Sequence, residues 1–248
     1  MKKYFTLSIL LCSLLFVNSC GSQTRIIKSL HNVKKSILKI ETWARLGPCD
    51  ENAASCIPPE LISMGSGAVV LYKNKKAVLT AAHVCRQESF ENFVKLNEGH
   101  FFLKAIDRDN KEYIIKVIKY DNSQDICLLD SLSGDLPPYI KISSKKPEYG
   151  EITYNLAAPL GIIDQQMVPT YQGFFFGNSE GRAFYSIPVA GGSSGSPIIN
   201  FKGELVGMVH SVHYRFHHIS LSATYQQIWN FLKIEESYTL KFQNLSPR

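Results

Sequence analysis

Beyond residue 20 the sequence has no apolar run long enough to cross a bilayer as a helix, which takes about 20 consecutive apolar residues. It has no CxxC pair, which argues against the commonest zinc arrangements. It has no dense basic stripe with interleaved aromatics, so nucleic acid is not an expected partner. No internal repeat or low-complexity segment occurs. Charged residues make up only 19% of the 248, against 45% apolar, an ordinary globular balance that excludes a disordered protein. The formal net charge is +6. Lys2 and Lys3 belong to an expected leader without acids, which leaves 25 basic against 21 acidic residues, a mild +4. The cluster Lys73, Lys75 and Lys76 reads as a solvated hairpin tip.

What is present begins with an export signal. Met1-Lys2-Lys3 is followed by 13 mostly apolar residues from Phe5 to Val17 and then by small residues, the three parts of a signal peptide over 1–19. Val17-Asn18-Ser19-Cys20-Gly21 resembles the lipobox of bacterial lipoproteins, although Asn18 departs from the usual small residue. That resemblance implies lipid on Cys20, a membrane anchor in the bacterial cell envelope, and residues 20–35 as a polar, basic tether. Gly21 and Ser22 lack the aspartate that marks inner-membrane retention in some lipoproteins, so the outer membrane is the default. Ordinary cleavage and secretion is the alternative.

Four cysteines remain after Cys12 and Cys20: Cys49, Cys56, Cys85 and Cys127. An even number in an exported chain permits two disulfides. Cys49 and Cys56 bracket a polar loop they can close. Cys85 and Cys127 are either a second bridge or two small buried hydrophobes.

The chain reads as many short strands. Ser36 to Thr42 alternates like a first strand. Ala68–Tyr72 and Lys76–Thr80 flank one hairpin, and Phe101–Ile106 and Tyr113–Tyr120 flank another. Ile126–Leu129 is a short buried-type strand. Pro137-Pro138 and residues 143–150 look like a passage between two halves. Ile152–Ala158, Val168–Phe176, Ala183–Ile187, Pro197–Ile199 and Leu205–Val209 continue the pattern. This predicts an all-β sandwich or barrels. Only Ala223–Ile234 looks helical, with Tyr225, Ile228, Trp229 and Leu232 at i, i+3, i+4 and i+7. Residues 235–248 read as a polar tail.

Three segments carry chemistry. Gly191-Gly192-Ser193-Ser194-Gly195-Ser196-Pro197 is a turn in which glycines let backbone amides converge beside hydroxyls. A serine hydroxyl needs a neighbouring base to act at neutral pH. Thr80-Ala81-Ala82-His83 sets an imidazole among small residues at the end of an apolar strand. Asp125-Ile126-Cys127-Leu128-Leu129 places a carboxylate at the mouth of a strand, where an imidazole N–H would satisfy it. Each alone is ordinary: a loop, a surface histidine, a capping acid.

Together, in the order His, Asp, Ser, these blocks resemble the signatures of trypsin-like (chymotrypsin-fold) serine peptidases. Gly65-Ser66-Gly67-Ala68-Val69 is similar to the strand before the family's histidine. Gly203 to Gly207 is similar to the strand after its serine, and Ser220 to Leu232 to its closing strand and helix. The likeness spans about residues 36–234. It implies two antiparallel six-stranded β-barrels, divided near residues 137–150, with a C-terminal α-helix. It also implies a cleft in which His83 is the base, Asp125 the orienting acid and Ser194 the nucleophile. The amides of Gly192 and Ser194 would form an oxyanion hole, with no metal or other cofactor and a protein or peptide as substrate.

The chain departs from the family at Ser193, which stands where Asp or Asn is usual. That argues against activation by a freed N-terminus. The Gly-Gly-Ser-Ser-Gly-Ser-Pro turn is similar to those of secreted glutamyl endopeptidases and periplasmic heat-shock proteases, and no room for a PDZ domain is expected after the helix. Alignment to the family places Pro188 and Val189 on one wall of the specificity pocket, and His210, Ser211 and Val212 on the other. Pro188 is not the acid that selects Arg or Lys. His210 would suit an acidic side chain, but it is offset by one position from the histidine of the glutamyl endopeptidases and Val189 replaces a hydroxyl residue they carry, so a small or apolar preference is the first expectation and an acidic one the second. His213, His217 and His218 read as a polar surface loop. The expected activity is a serine endopeptidase. A catalytically silent peptide-binding lipoprotein of the same fold and an esterase are the alternatives.

Overall fold

The computed structural model describes residues 24–47, 57–86, 92, 94 and 96–233. The leader, Cys20, Cys49, Cys56 and the 235–248 tail lie outside the described residues. Twelve strands are arranged in two closed barrels. The first contains β1 (Ile37–Arg45), β2 (Glu60–Tyr72), β3 (Lys75–Thr80), β4 (His100–Asp107), β5 (Glu112–Asp121) and β6 (Ile126–Ser131), in the order β1-β2-β3-β6-β5-β4. The second contains β7 (Ile152–Leu156), β8 (Thr170–Ser179), β9 (Arg182–Tyr185), β10 (Pro197–Ile199), β11 (Leu205–His213) and β12 (Phe216–Ala223), in the order β10-β11-β12-β9-β8-β7. All ladder pairings are antiparallel, and closure leaves neither sheet with a free edge.

Local sequence accounts for the turns. Lys73 and Asn74 adopt φ of 48° and 61°, the two left-handed residues of a hairpin turn whose twist matches its strands. The strands bury mainly branched aliphatics. Ile37, Ile40, Val69, Ile126 and Leu128 are fully buried in the first barrel, and Ile187 and Ile198 in the second. The first cluster continues across the junction to Leu156, Ile199, Leu205 and Met208, so one apolar core joins the barrels. The passage between them is tied to both, through Val70 with Ile140 and Ile142 with Leu205.

Two terminal elements brace this body. Residues 24–33, within the expected tether, are helical, and Leu30 and Val33 pack on the core. The closing helix runs Tyr225–Lys233. Thr224 and Gln227 cap it reciprocally: each backbone N–H donates to the other's side-chain oxygen. Ile228, Phe231 and Leu232 are buried in the first cluster. The Tyr225 hydroxyl donates to the Ser143 carbonyl at 2.7 Å, which ties the helix to the passage. The expected polar loop at His213, His217 and His218 is instead a hairpin: β11 extends to His213 and β12 begins at Phe216. The alternation of aromatics with these histidines suits strands better than a loop.

Candidate active site

Strand register brings the histidine and the acid together. β3 pairs with β6 so that Thr80 faces Cys127. Three residues beyond Thr80, His83 lies in a short helix, Ala82–Cys85, and Asp125 lies just before β6. The antiparallel ladder therefore delivers both to the same rim. Cys85 and Cys127 meet there as a disulfide, with Cα atoms 6.5 Å apart. The bridge, rather than two buried thiols, is what the structure contains.

The pairing of His83 with Asp125 is twofold. Ring Nδ1 lies 2.8 Å from Oδ2 and 3.0 Å from Oδ1, and the His83 backbone N–H donates to Oδ1 at 3.0 Å. With the Nδ1 proton engaged by the carboxylate, Nε2 is left as the acceptor, the tautomer a general base requires. Asp125 holds φ at 54°, a left-handed conformation that aspartate tolerates better than most residues. Such a backbone persists where its surroundings impose it; here the His83 amide and ring do so.

Ser194 sits in the second barrel and is positioned by the first. The Ser66 N–H donates to the Ser194 carbonyl at 2.7 Å, and the Ser66 hydroxyl donates to the Gly192 carbonyl at 2.7 Å. Ser66 Oγ also accepts from the Ala158 N–H at 2.9 Å, while Thr80 Oγ1 donates to the Ser66 carbonyl at 2.7 Å. One buried serine thus ties the nucleophile turn to β2 and, through Thr80, to the strand that leads to His83. Gly195 is what permits this approach. Its φ is 87°, and a Cβ there would stand 2.1 Å from the Ser66 carbonyl oxygen. Among the described residues, neither the Gly192 nor the Ser194 amide donates to another group.

Ser194 Oγ itself donates to the His210 carbonyl at 3.4 Å, and no direct hydrogen bond joins it to His83. That contact is long and weak.

His210 faces the acid as well as the cavity. Its Nδ1 is 3.8 Å from Asp125 Oδ2 and 2.9 Å from Ser211 Oγ, so two imidazoles flank one carboxylate. His210 and Ser211 line a cavity of about 600 Å³ together with His83 and Asp125, whereas Pro188, Val189 and Val212 do not line it. Burial pushes the Asp125 carboxyl up, but the His83 hydrogen bonds and the charges of His83 and His210 outweigh it and hold the group below its ordinary value. Burial pushes the His210 imidazole below its ordinary 6.5. Asp125 opposes that shift, and Arg182 and His83 reinforce it.

The signs set two pH windows. His210, depressed in the folded state, contributes stability that is full above 6.5 and is lost as pH falls through its folded value. Asp125 contributes stability that is present above 3.8 and is lost only below that. A His210→Gln chain should therefore lose less thermal stability than the parent between pH 7.5 and 5. Melting curves across that range check it, and parallel losses in the two chains would contradict it.

Sequence reasoning missed Ser66 as the clamp, His210 as a neighbour of the acid, and Arg182. Ser66 stands inside a Gly-Ser-Gly triplet already likened to the strand before the histidine, a signal that a backbone approaches closely there. No group of three or more His, Cys, Asp or Glu able to hold a metal occurs among the described residues.

Two closed barrels carrying a His–carboxylate pair on one and a glycine-turn serine on the other define the scaffold of a serine-type hydrolase. The trypsin-like peptidase domain matches residues 65–208, more than half of the chain, and the chain belongs to that family. Among solved structures, the serine endoprotease from Yersinia pestis superposes with a TM-score of 0.60 at 15% identity, over 83% of this chain. The match spans 64% of that structure's length, and at this identity it speaks to the fold alone. Comparison with curated proteins by sequence yields no match.

Proposed function

We propose that this chain is a serine endopeptidase of the bacterial cell envelope, exported by residues 1–19 and anchored through lipid on Cys20. Ser194 attacks a peptide carbonyl while His83 takes its proton, and Asp125 steadies the imidazolium that forms. The amides of Gly192 and Ser194 receive the negative charge on the carbonyl oxygen. His83 then protonates the departing amine, and water, activated by the same imidazole, hydrolyses the acyl-enzyme. The observation that carries this reading is the bidentate seating of His83 Nδ1 on Asp125, at 2.8 and 3.0 Å, beside a serine turn clamped by Ser66. The second reading, a silent peptide-binding protein, draws on the resting Ser194 hydroxyl, which faces the His210 carbonyl at 3.4 Å.

A fluorophosphonate probe separates the two, because it marks only a serine whose hydroxyl is activated by a base. The expected result is an adduct on Ser194 that disappears in a His83→Ala chain. A folded parent chain that takes no label contradicts the endopeptidase.

A further inference from the structure

The cavity beside the His83–Asp125 pair is formed by both barrels. The first barrel contributes His83, Arg86 and Gln124, and the second contributes Arg182, His210 and Ser211, in about 600 Å³. Its charge is uneven. Among the described residues, two arginines line it with one carboxylate, Asp125, which already receives the His83 ring and backbone N–H. Arg86 packs its guanidinium over the Tyr120 ring at 4.8 Å, a contact that keeps its position constant.

Arg182 is different. It is the first residue of β9, immediately after a tight turn in which Glu180 and Gly181 adopt φ of 52° and 74°. Ladder contacts to Ser179 and Ala223 fix its backbone on both sides. Among the described residues, no carboxylate pairs with its guanidinium, and its charge reaches His210 across the cavity. A guanidinium on a fixed backbone, with no paired carboxylate among the described residues, at the rim of a polar cavity is suited to a carboxylate, which it can grip through two parallel hydrogen bonds. The same field opposes a lysine or arginine side chain, and the hydroxyl and amide lining offers little to an apolar one.

We infer that Arg182 is a specificity-determining residue and that this cavity receives an acidic side chain of the substrate polypeptide near the bond to be cleaved. This rests on the peptidase reading for its substrate, but binding can be measured without turnover. His210 and Ser211, placed by family alignment on the wall of another pocket, act here as the cavity floor. Acidic preference then arises from Arg182 and is independent of Pro188 and Val189.

The test uses residues 21–248 carrying Ser194→Ala, so that peptides bind and are not consumed. Fluorescein-labelled octapeptides of alanine carry Glu, Gln or Lys at each position in turn, and anisotropy gives their affinities. At one or two positions Glu should bind about tenfold tighter than Gln, the scale of one charge-assisted hydrogen bond, and Lys should bind weakest. Adding Arg182→Glu should reverse the order of Glu and Lys, while Arg182→Lys keeps Glu ahead by a smaller factor. Raised salt should narrow the differences. Melting curves verify that each variant folds. Equal affinities for Glu, Gln and Lys, binding of none of the peptides, or a Glu preference that survives Arg182→Glu would each overturn the inference. Failure of the parent chain to take the fluorophosphonate would count against turnover and would leave these affinities to stand or fall on their own.

Discussion

Replacing Ser194 with alanine should lower kcat on a cleavable peptide by about 10⁶-fold, because the acyl-enzyme route vanishes and only binding and oxyanion stabilisation remain. His83→Ala should cost about as much, and the double replacement no more than either alone, since the two act as one unit. Asp125→Asn should lower kcat by about 10⁴-fold, by allowing the wrong imidazole tautomer. Steady-state kinetics on the four variants, with melting curves to verify folding, decides the matter. Additive losses, or an alanine at 194 that leaves most of the activity, would remove Ser194 from the chemistry. The resting contact of Ser194 Oγ with the His210 carbonyl does not weaken this expectation, because catalytic hydrogen bonds are often loose before substrate binds.

The second large effect concerns stability. Cys85 and Cys127 close a loop of 42 residues, and loop-closure entropy assigns such a bridge about 4 kcal/mol. For a domain of this size that corresponds to a fall of about 10 °C in the thermal midpoint when both are changed to alanine. The loss should also reach the active site. Cys85 follows His83 by two residues and Cys127 follows Asp125 by two, so the bridge staples the rim that carries the pair. Below its melting point the double variant should show a reduced kcat with KM less affected. Calorimetry and kinetics on the same preparation check both parts. A midpoint within 2 °C of the parent, taking the shift per kcal/mol as about 2–4 °C, would show that the bridge contributes little to stability.

Much of this was legible in the linear chain, and for identifiable reasons. Alternating Ile, Val and Leu mark strands because the side chains of a strand point to opposite faces. The β10 boundaries agree at both ends, Pro197–Ile199, because the proline after the glycine-rich turn opens the strand and the turn at Asn200–Gly203 closes it. The strands β2 and β11 run longer than their apolar stretches suggest. β2 begins at Glu60 with polar and exposed residues, and β11 continues past Val209 to His213. In both, ladder partners on the neighbouring strand hold residues that hydrophobic period alone would leave as loop.

The candidate site divides in the same way. His83, Asp125 and Ser194 stood out as candidates because three short blocks, each ordinary alone, occur together in the order that resembles trypsin-like serine peptidases. Those blocks are written in neighbouring positions, so the sequence by itself determined the triad candidates, the strand-rich architecture and the closing helix. The joining of Cys85 to Cys127, the clamp of Ser66 on the nucleophile turn, the turning of His210 towards Asp125 and the mounting of Arg182 over the same cavity were decided only by the tertiary structure. Each depends on strand register and barrel closure, which place residues up to 128 positions apart, Ser66 and Ser194, within hydrogen-bonding distance. No local pattern encodes such distances, because they arise from how two closed sheets pack against one another across a junction of buried apolar residues.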